Sequence, residues 1–392
     1  MRFFEEKEKN MQLCICYCVF IFNGMLALSI GSLLPFIREA RGLDYTLSGI
    51  LVSLHSVGNL ISSFFAGAFA VKLGRKKSIL MFNACYAISY FIILISGNMT
   101  LLVLAFLMTG LARGATSNFC NSVINELAPG KAGIINGLHA MFSVGAFVFP
   151  FLLMGLTNHN ENGWLIMSGA MMAMGLVSFA LYAIIPVKDF AVGKSKKVGA
   201  NYGFFKEPLF YLVIVSLFFY LCAEQGVIGW LVTYFKDTGL LEGGVSQMMA
   251  SIQWIMILAG RLTTVWLSTK VKKENFLPFM GAGLVVFFIL LIFSRTTALI
   301  VLGIMGFGFS MAGIYPTIVS CAGNMIQKYP LAWSFILTSA SIGSIAMPAI
   351  IGKIAETAGI YSGMSSVAVV VIIDFICILA LVTYMKRAKK EQ

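Results

Sequence analysis

With 392 residues, 59% of them hydrophobic and only 11% charged, and a mean hydropathy of +0.90, the chain is too apolar for a water-soluble globular protein, whose charged fraction is roughly 25%. Its formal net charge of +12 would suit a nucleic-acid binder, yet no basic patch with interleaved aromatics is present on which bases could stack. The bilayer is the solvent this composition fits.

A helix needs roughly 20 mostly apolar residues to cross the hydrocarbon core, and twelve such runs follow one another along the chain. They fall at 11–37, 46–71, 78–97, 99–127, 132–156 and 163–186, then at 208–235, 245–269, 275–294, 297–326, 331–356 and 360–385. The first follows MRFFEEKEKN. It is too long for a signal peptide and ends without a small-x-small cleavage site, so it reads as a retained spanning helix. Val187 to Glu207, VKDFAVGKSKKVGANYGFFKE, is the one loop long enough for a linker, a basic tether suited to the cytoplasmic membrane surface. The expected fold is an all-α membrane protein: twelve transmembrane helices in two pseudo-symmetric six-helix bundles, 1–186 and 208–392, joined by residues 187–207.

Lysine and arginine gather in both tails and in the even-numbered loops, as in Lys72, Arg75, Lys76 and Lys77 after run two. The opposite side carries Arg38, Arg41, Lys236, Arg295 and Lys353. Short cytoplasmic loops collect basic residues, so both termini are expected in the cytoplasm, with the chain in a plasma (bacterial inner) membrane. The eight cysteines all lie within apolar runs and form no CxxC pair. They read as free buried thiols, with no resident metal or cofactor implied.

The stretch from Gly110 to Gly155 has a second copy from Gly306 to Gly352, the two starting 196 residues apart, half the chain. Each breaks at a proline, Pro129 or Pro330, and continues into a run with matched punctuation, Gly145 with Pro150 and Gly343 with Pro348. Two such similar apolar halves point to a transporter with its site between them and the bundles rocking about it. Gly145, Pro150, Gly343 and Pro348 read as bends and close-packing points that serve the rocking.

An ionisable residue well inside a spanning run costs at least roughly 2.5 kcal/mol by insertion scales, so each needs a partner or a purpose. They are Arg113, Glu224, Arg261 and Asp374, with His55 and His139. At about 100° per residue Asn118, Asn121 and Asn125 share an arc of roughly 60°, which Arg113 borders. Asn136, His139 and Ser143 add a second polar row. These residues read either as a hydrogen-bonding wall for a hydroxyl-rich solute or as interhelical polar glue. In AEQGVIGW, Ala223 to Trp230, Gly226 and Gly229 are expected to weaken the helix beside Glu224 and Gln225. A carboxyl group in a poorly solvated cavity exchanges a proton readily, so Glu224 is a candidate for proton coupling; the rival is a structural ion pair with Arg113 or Arg261. Trp230, Tyr234, Trp254 and Tyr315 offer flat faces to a sugar ring, Trp230 and Tyr315 foremost. Asp374, alone in the last run, is given no solute role.

After run two, Gly67-x-x-x-Val71-Lys72-Leu73-Gly74-Arg75-Lys76 is similar to the signature G-x-x-x-D-R-x-G-R-K/R of the major facilitator superfamily, with Val71 where that family has an aspartate in its cytoplasmic charge cluster. Gly260-Arg261-Leu262 is a weaker echo in the second half. CNSVIN at Cys120, NGLHAMFSVGA at Asn136, AEQGVIGW and IYPT at Ile314 resemble the fucose and hexose permease branch. That resemblance implies a monomeric proton- or sodium-coupled monosaccharide importer. Runs one, four, seven and ten would line the cavity, with Asn23, Asn118, Asn121, Glu224, Gln225 and Tyr315 at or near the solute and Gly67, Gly74 and Arg75 in gating. Ala27 and Ser117 stand near the positions where fucose symporters carry acids, which leaves Glu224 as the evident proton carrier.

A primary pump would need a phosphate-binding loop, and Gly193-Lys194-Ser195 has Lys188 where its first glycine belongs. An intramembrane enzyme would need a catalytic pair, which the scattered His55, His139 and His159 do not provide. Efflux of drugs or metabolites on the same fold is the alternative reading, but it would favour a broad apolar cavity over the asparagines of run four.

Overall fold

The computed structural model describes residues 6–128, 132–189, 201–241 and 243–388. Among these every regular element is helical, and twelve spans are long and apolar enough to cross a membrane. The helices are α1 (Lys7–Arg41), α2 (Tyr45–Leu73), α3 (Arg75–Ile95), α4 (Met99–Leu127), α5 (Ala132–Thr157), α6 (Gly163–Ile184), α7 (Pro208–Thr238), α8 (Gly243–Ser268), α9 (Lys273–Phe293), α10 (Thr297–Met311), α11 (Ile314–Cys321), α12 (Gly323–Lys328), α13 (Pro330–Ser365) and α14 (Val367–Ala388).

Three boundaries differ from the sequence reading. The run expected at 297–326 is divided into α10, α11 and α12 by short breaks at Ala312 to Gly313 and at Ala322. The eleventh and twelfth runs meet at Gly359, whose φ of 83° and ψ of 157° lie outside the helical region and suit a residue without Cβ. Beyond it residues 360–365 are a short turn of helix, so the last span begins at Val367. In α7, by contrast, Gly226 and Gly229 do not interrupt the helix. A Cβ on Gly226 would press on Met347 and Ile351, and one on Gly229 on Val52, so these glycines serve close packing.

The chain forms two compact units, Met1–Leu43 with Leu54–Ser195, and Asp44–Ser53 with Lys196–Gln392. In the first, α1 packs most extensively on α5, and α3 on both α4 and α6. Cβ atoms at Gly24 and Gly145 would overlap the carbonyl oxygens of Phe142 and Ile21, so α1 and α5 touch backbone to backbone. In the second, α7 packs most extensively on α13, where a Cβ at Gly343 would overlap the Phe218 carbonyl. Gly145 and Gly343 thus hold matching positions in the two repeats. Pro150 and Pro348 lie inside α5 and α13. Pro129 lies outside the described residues, and Pro330 opens α13.

The first turns of α2 belong to the second unit. There the Tyr45 amide donates to Glu356 Oε2 at 2.8 Å and its hydroxyl to Asp237 Oδ2 at 2.9 Å. Of the expected linker, residues 190–200 lie outside the described residues. Its far end is no free tether. Gly203–Lys206 forms a 3-10 turn that buries Phe204 completely against Phe205, Phe210, Tyr329 and Phe335.

Substitution of Gly145 by valine is expected to destabilise the protein in detergent by about 2 kcal/mol or more, because a backbone carbonyl cannot move aside as a side chain can. Gly67→Ala, at a position where no described heavy atom lies within 4 Å of a would-be Cβ, should stay within about 0.5 kcal/mol. Thermal unfolding of the two purified variants checks the contrast; equal midpoints would remove the backbone contact as its cause.

Candidate functional site

The polar residues of the first unit separate into three groups. In the first, α1 meets α4: Asn23 Nδ2 donates to Ser117 Oγ at 3.0 Å, and Asn121 Nδ2 to the Ser117 carbonyl at 2.8 Å. Asn23 is 2% exposed, and its Oδ1 has no partner among the described residues. A buried acceptor left in that condition costs about 1–3 kcal/mol. Ser117, which sequence reasoning noted only as the place of a missing acid, accepts from Asn23 at its hydroxyl and from Asn121, on its own helix, at its carbonyl.

One turn earlier on α4, Arg113 Nη1 lies 3.4 Å from His55 Nε2. His55 is buried in α2, with Nδ1 2.8 Å from Thr109 Oγ1. The Thr109 hydroxyl gives its own proton to the Phe106 carbonyl at 2.6 Å. It therefore accepts from His55 Nδ1–H, which assigns the tautomer and leaves the Nε2 lone pair facing the guanidinium. Arg113 also stands 6.0 Å from the centre of the Phe142 ring. It is held by an imidazole and an aromatic face on neighbouring helices.

The third group lies at the opposite edge of α4. Asn118 is exposed and donates to the Ser63 carbonyl of α2 at 2.9 Å. It lines a cavity of about 60 Å³ with Gly67, Arg75, Phe119 and Ser122. That is well short of the roughly 300 Å³ of ordinary ligand pockets, so Asn118 is set apart from Asn23 and Asn121. Gly67 faces open space, with no heavy atom among the described residues within 4 Å of a would-be Cβ. Asn125, Asn136 and His139 are exposed, and His139 meets Phe20 edge to face at 5.8 Å.

Arg75, in the motif that lacks its aspartate, is held by other groups. The side chain is 5% exposed; Nη1 donates to Glu126 Oε2 at 2.6 Å and to the Lys188 carbonyl at 3.3 Å, and Nη2 to Ser122 Oγ at 3.2 Å. Its backbone amide, the first of α3, donates to Asp189 Oδ1 at 2.7 Å. Gly74, with φ of 88°, turns the chain so that the Asp189 carboxylate can sit where a Cβ would otherwise be. An acid from the segment after α6 thus stands at the helix N-terminus, where a negative charge is favoured. The sequence signal for Asp189 was only its place in a basic loop.

In the second unit the candidates gather round Tyr220, one turn before Glu224 and unremarked in the sequence. Its hydroxyl lies 3.4 Å from Glu224 Oε1 and 3.2 Å from the Met311 carbonyl, and its ring 6.1 Å from that of Tyr315 on α11. Glu224, Gln225, Tyr315 and Arg261 are all half-buried, and the charge of Arg261 on α8 reaches the Tyr220 hydroxyl. Trp230 belongs to the packing. It is fully buried, tilted against Tyr45, and its indole N–H donates to the Pro348 carbonyl at 3.0 Å, so it presents no face to a solute. Trp254 is also buried, at 5% exposure. All eight cysteines are free thiols.

The description Major Facilitator Superfamily matches residues 13–328. A glucose/mannose transporter, GlcP, of Bacillus subtilis (strain 168) is 22% identical over 371 residues, covering 90% of this chain and 92% of that protein. Among solved structures, a D-xylose-proton symporter superposes with a TM-score of 0.79 at 12% identity, covering 96% of this chain and 97% of the other. The nucleoside transporter NupG superposes with a TM-score of 0.75 at 14% identity, covering 97% and 100%. At these identities the structural likenesses show the fold.

Asp189→Ala is expected to lower stability in detergent by about 1 kcal/mol, the usual worth of an acid capping a helix. Thermal unfolding measures it, and a midpoint equal to that of the parent would show the Asp189 contact to be energetically idle.

Proposed function

Because the chain belongs to the Major Facilitator Superfamily, we propose that it is a secondary transporter that carries a monosaccharide across the membrane by alternating access, driven by a proton or sodium gradient. The observation that carries the solute class is the Asn23 amide. Its buried Oδ1 lacks a donor beside Ser117 and Asn121, and a sugar hydroxyl supplies one. In the second unit, considered by itself, Tyr315 offers a ring suited to the C–H face of a pyranose and Gln225 an amide suited to its hydroxyls. The glucose/mannose transporter that is similar over 90% of this chain supports the same class of solute.

Glu224 is the coupling acid in this reading, with the Tyr220 hydroxyl steadying its carboxylate while it is ionised. Arg113, backed by His55, and Arg75, held by Glu126 and Asp189, act in the conformational change. So do Arg261 and Gly74. The distribution of lysine and arginine supports cytoplasmic termini in a bacterial inner membrane, and the working unit is a monomer.

Uptake of labelled glucose, mannose and xylose into proteoliposomes, with and without an inward proton or sodium gradient, tests the reading. At least one sugar should accumulate, and Asn23→Ala should raise its KM about tenfold, equivalent to roughly 1.4 kcal/mol. Glu224→Gln should abolish accumulation against a gradient; persistence would remove its coupling role. Export of a hydrophobic cation with no uptake of any sugar would favour efflux instead.

A further inference from the structure

The second unit holds an acid that the coupling scheme above does not use. Asp374 lies in the first half of α14, is 0% exposed, and has no hydrogen-bond partner at either carboxylate oxygen among the described residues. Complete burial rules out a lipid-facing position. An ionised carboxylate in this position would be stripped of water with no donor in contact, a costly state inside a spanning helix. The neutral acid avoids most of that penalty.

The groups facing Asp374 fit a proton better than a metal ion. α14 packs on α7, α9 and α13. From α7 the titratable groups within electrostatic reach are Tyr220 and Cys222, and on α14 itself Cys377. α9 approaches through Gly281, beside Phe375 and Ile378, and has no titratable residue from Asn275 to Phe293. α13 has none from Leu331 to Gly352; its Lys353, Glu356 and Tyr361 follow, with Glu356 engaged by Tyr45 and Tyr361 by Arg295. Hard cations want several oxygen ligands, whereas thiols and a phenol surround this acid, and no cluster of His, Cys, Asp and Glu able to hold a metal occurs among the described residues. Tyr220 is the shared neighbour: its hydroxyl feels Asp374 from α14, Glu224 from its own helix and Arg261 from α8.

We propose that Asp374 is a proton-binding site of the second unit, a neutral carboxylic acid in this conformation that exchanges its proton with water when the α7–α14 packing loosens. The proton comes from water onto one carboxylate oxygen and returns to water from it, with no other bond made or broken. Asp374 and Glu224 thereby form a pair of acids on either side of Tyr220. The role in a transport cycle rests on the coupled reading above, but the binding of the proton does not.

Infrared spectroscopy of the full-length protein in liposomes tests this with no solute present. Besides Asp374 the sequence has only Asp44, Asp189 and Asp237, so carbon-13 labelling of aspartate carboxyls separates Asp374 from every glutamate. At neutral pH the spectrum should contain the band of an un-ionised carboxyl that shifts with the aspartate label, remains in Glu224→Gln and is absent from Asp374→Asn. It should disappear reversibly at alkaline pH. Absence of the band from the labelled wild type overturns the proposal even where the Asn variant does not fold. A band that persists until the protein unfolds marks a fixed structural acid and overturns it equally. Failure of sugar uptake would sink the monosaccharide reading and leave this result standing.

Discussion

A carbonyl oxygen and a methyl group cannot share the same space, and that constraint fixes the centre of each unit. Lipid offers no hydrophobic drive for one apolar helix to join another, so cohesion comes from close packing and from polar contacts. Gly24 and Gly145 bring α1 onto α5, Gly343 brings α13 onto α7, and Gly110 brings α4 onto the His55 carbonyl of α2. Backbones drawn this close leave larger side chains to pack at the flanks. That same approach sets Arg113 of α4 against His55 of α2.

Within this frame many membrane-embedded polar groups are answered by another residue. His55 is oriented by Thr109, which is itself bound to Phe106, and Asn83 donates to Ser178. Arg75 is saturated by groups from α4 and from the segment after α6. Others, among them Ser53 Oγ, Asn83 Oδ1, Ser216 Oγ and Thr233 Oγ1, are buried with no hydrogen-bond partner among the described residues. Asn23 Oδ1 and both oxygens of Asp374 lie in helices that are otherwise well provided with partners. One invites a neutral donor such as a hydroxyl, while the other favours a form without charge.

The architecture was legible in the sequence because spanning helices announce themselves by length and composition, and because the repeat places Gly145 and Gly343 alike. The interior of the sites was less legible. Helical arcs put Asn118 and Asn121 on one face, but the two side chains diverge, Asn118 to the Ser63 carbonyl of α2 and Asn121 back to the Ser117 carbonyl of its own helix. Trp230 stood beside a glycine, which suggested a cavity; the glycine instead admits Val52, and the indole closes on Pro348. Asp374 stands alone in the last run of the sequence, and only its complete burial marks it out. Tyr220 and Asp189 matter through partners distant in sequence, Met311 and Arg75, which no local pattern encodes.

The Phe204 cluster bears on how the second unit begins. With its ring enclosed by Phe205, Phe210, Tyr329 and Phe335, the entry to α7 is docked by aromatic contacts within its own unit. Positioning of that helix then needs no tension from the preceding residues, and loop closure penalises extra length only weakly. A change of length ahead of Asn201 would accordingly leave these ring contacts of the second unit as they are.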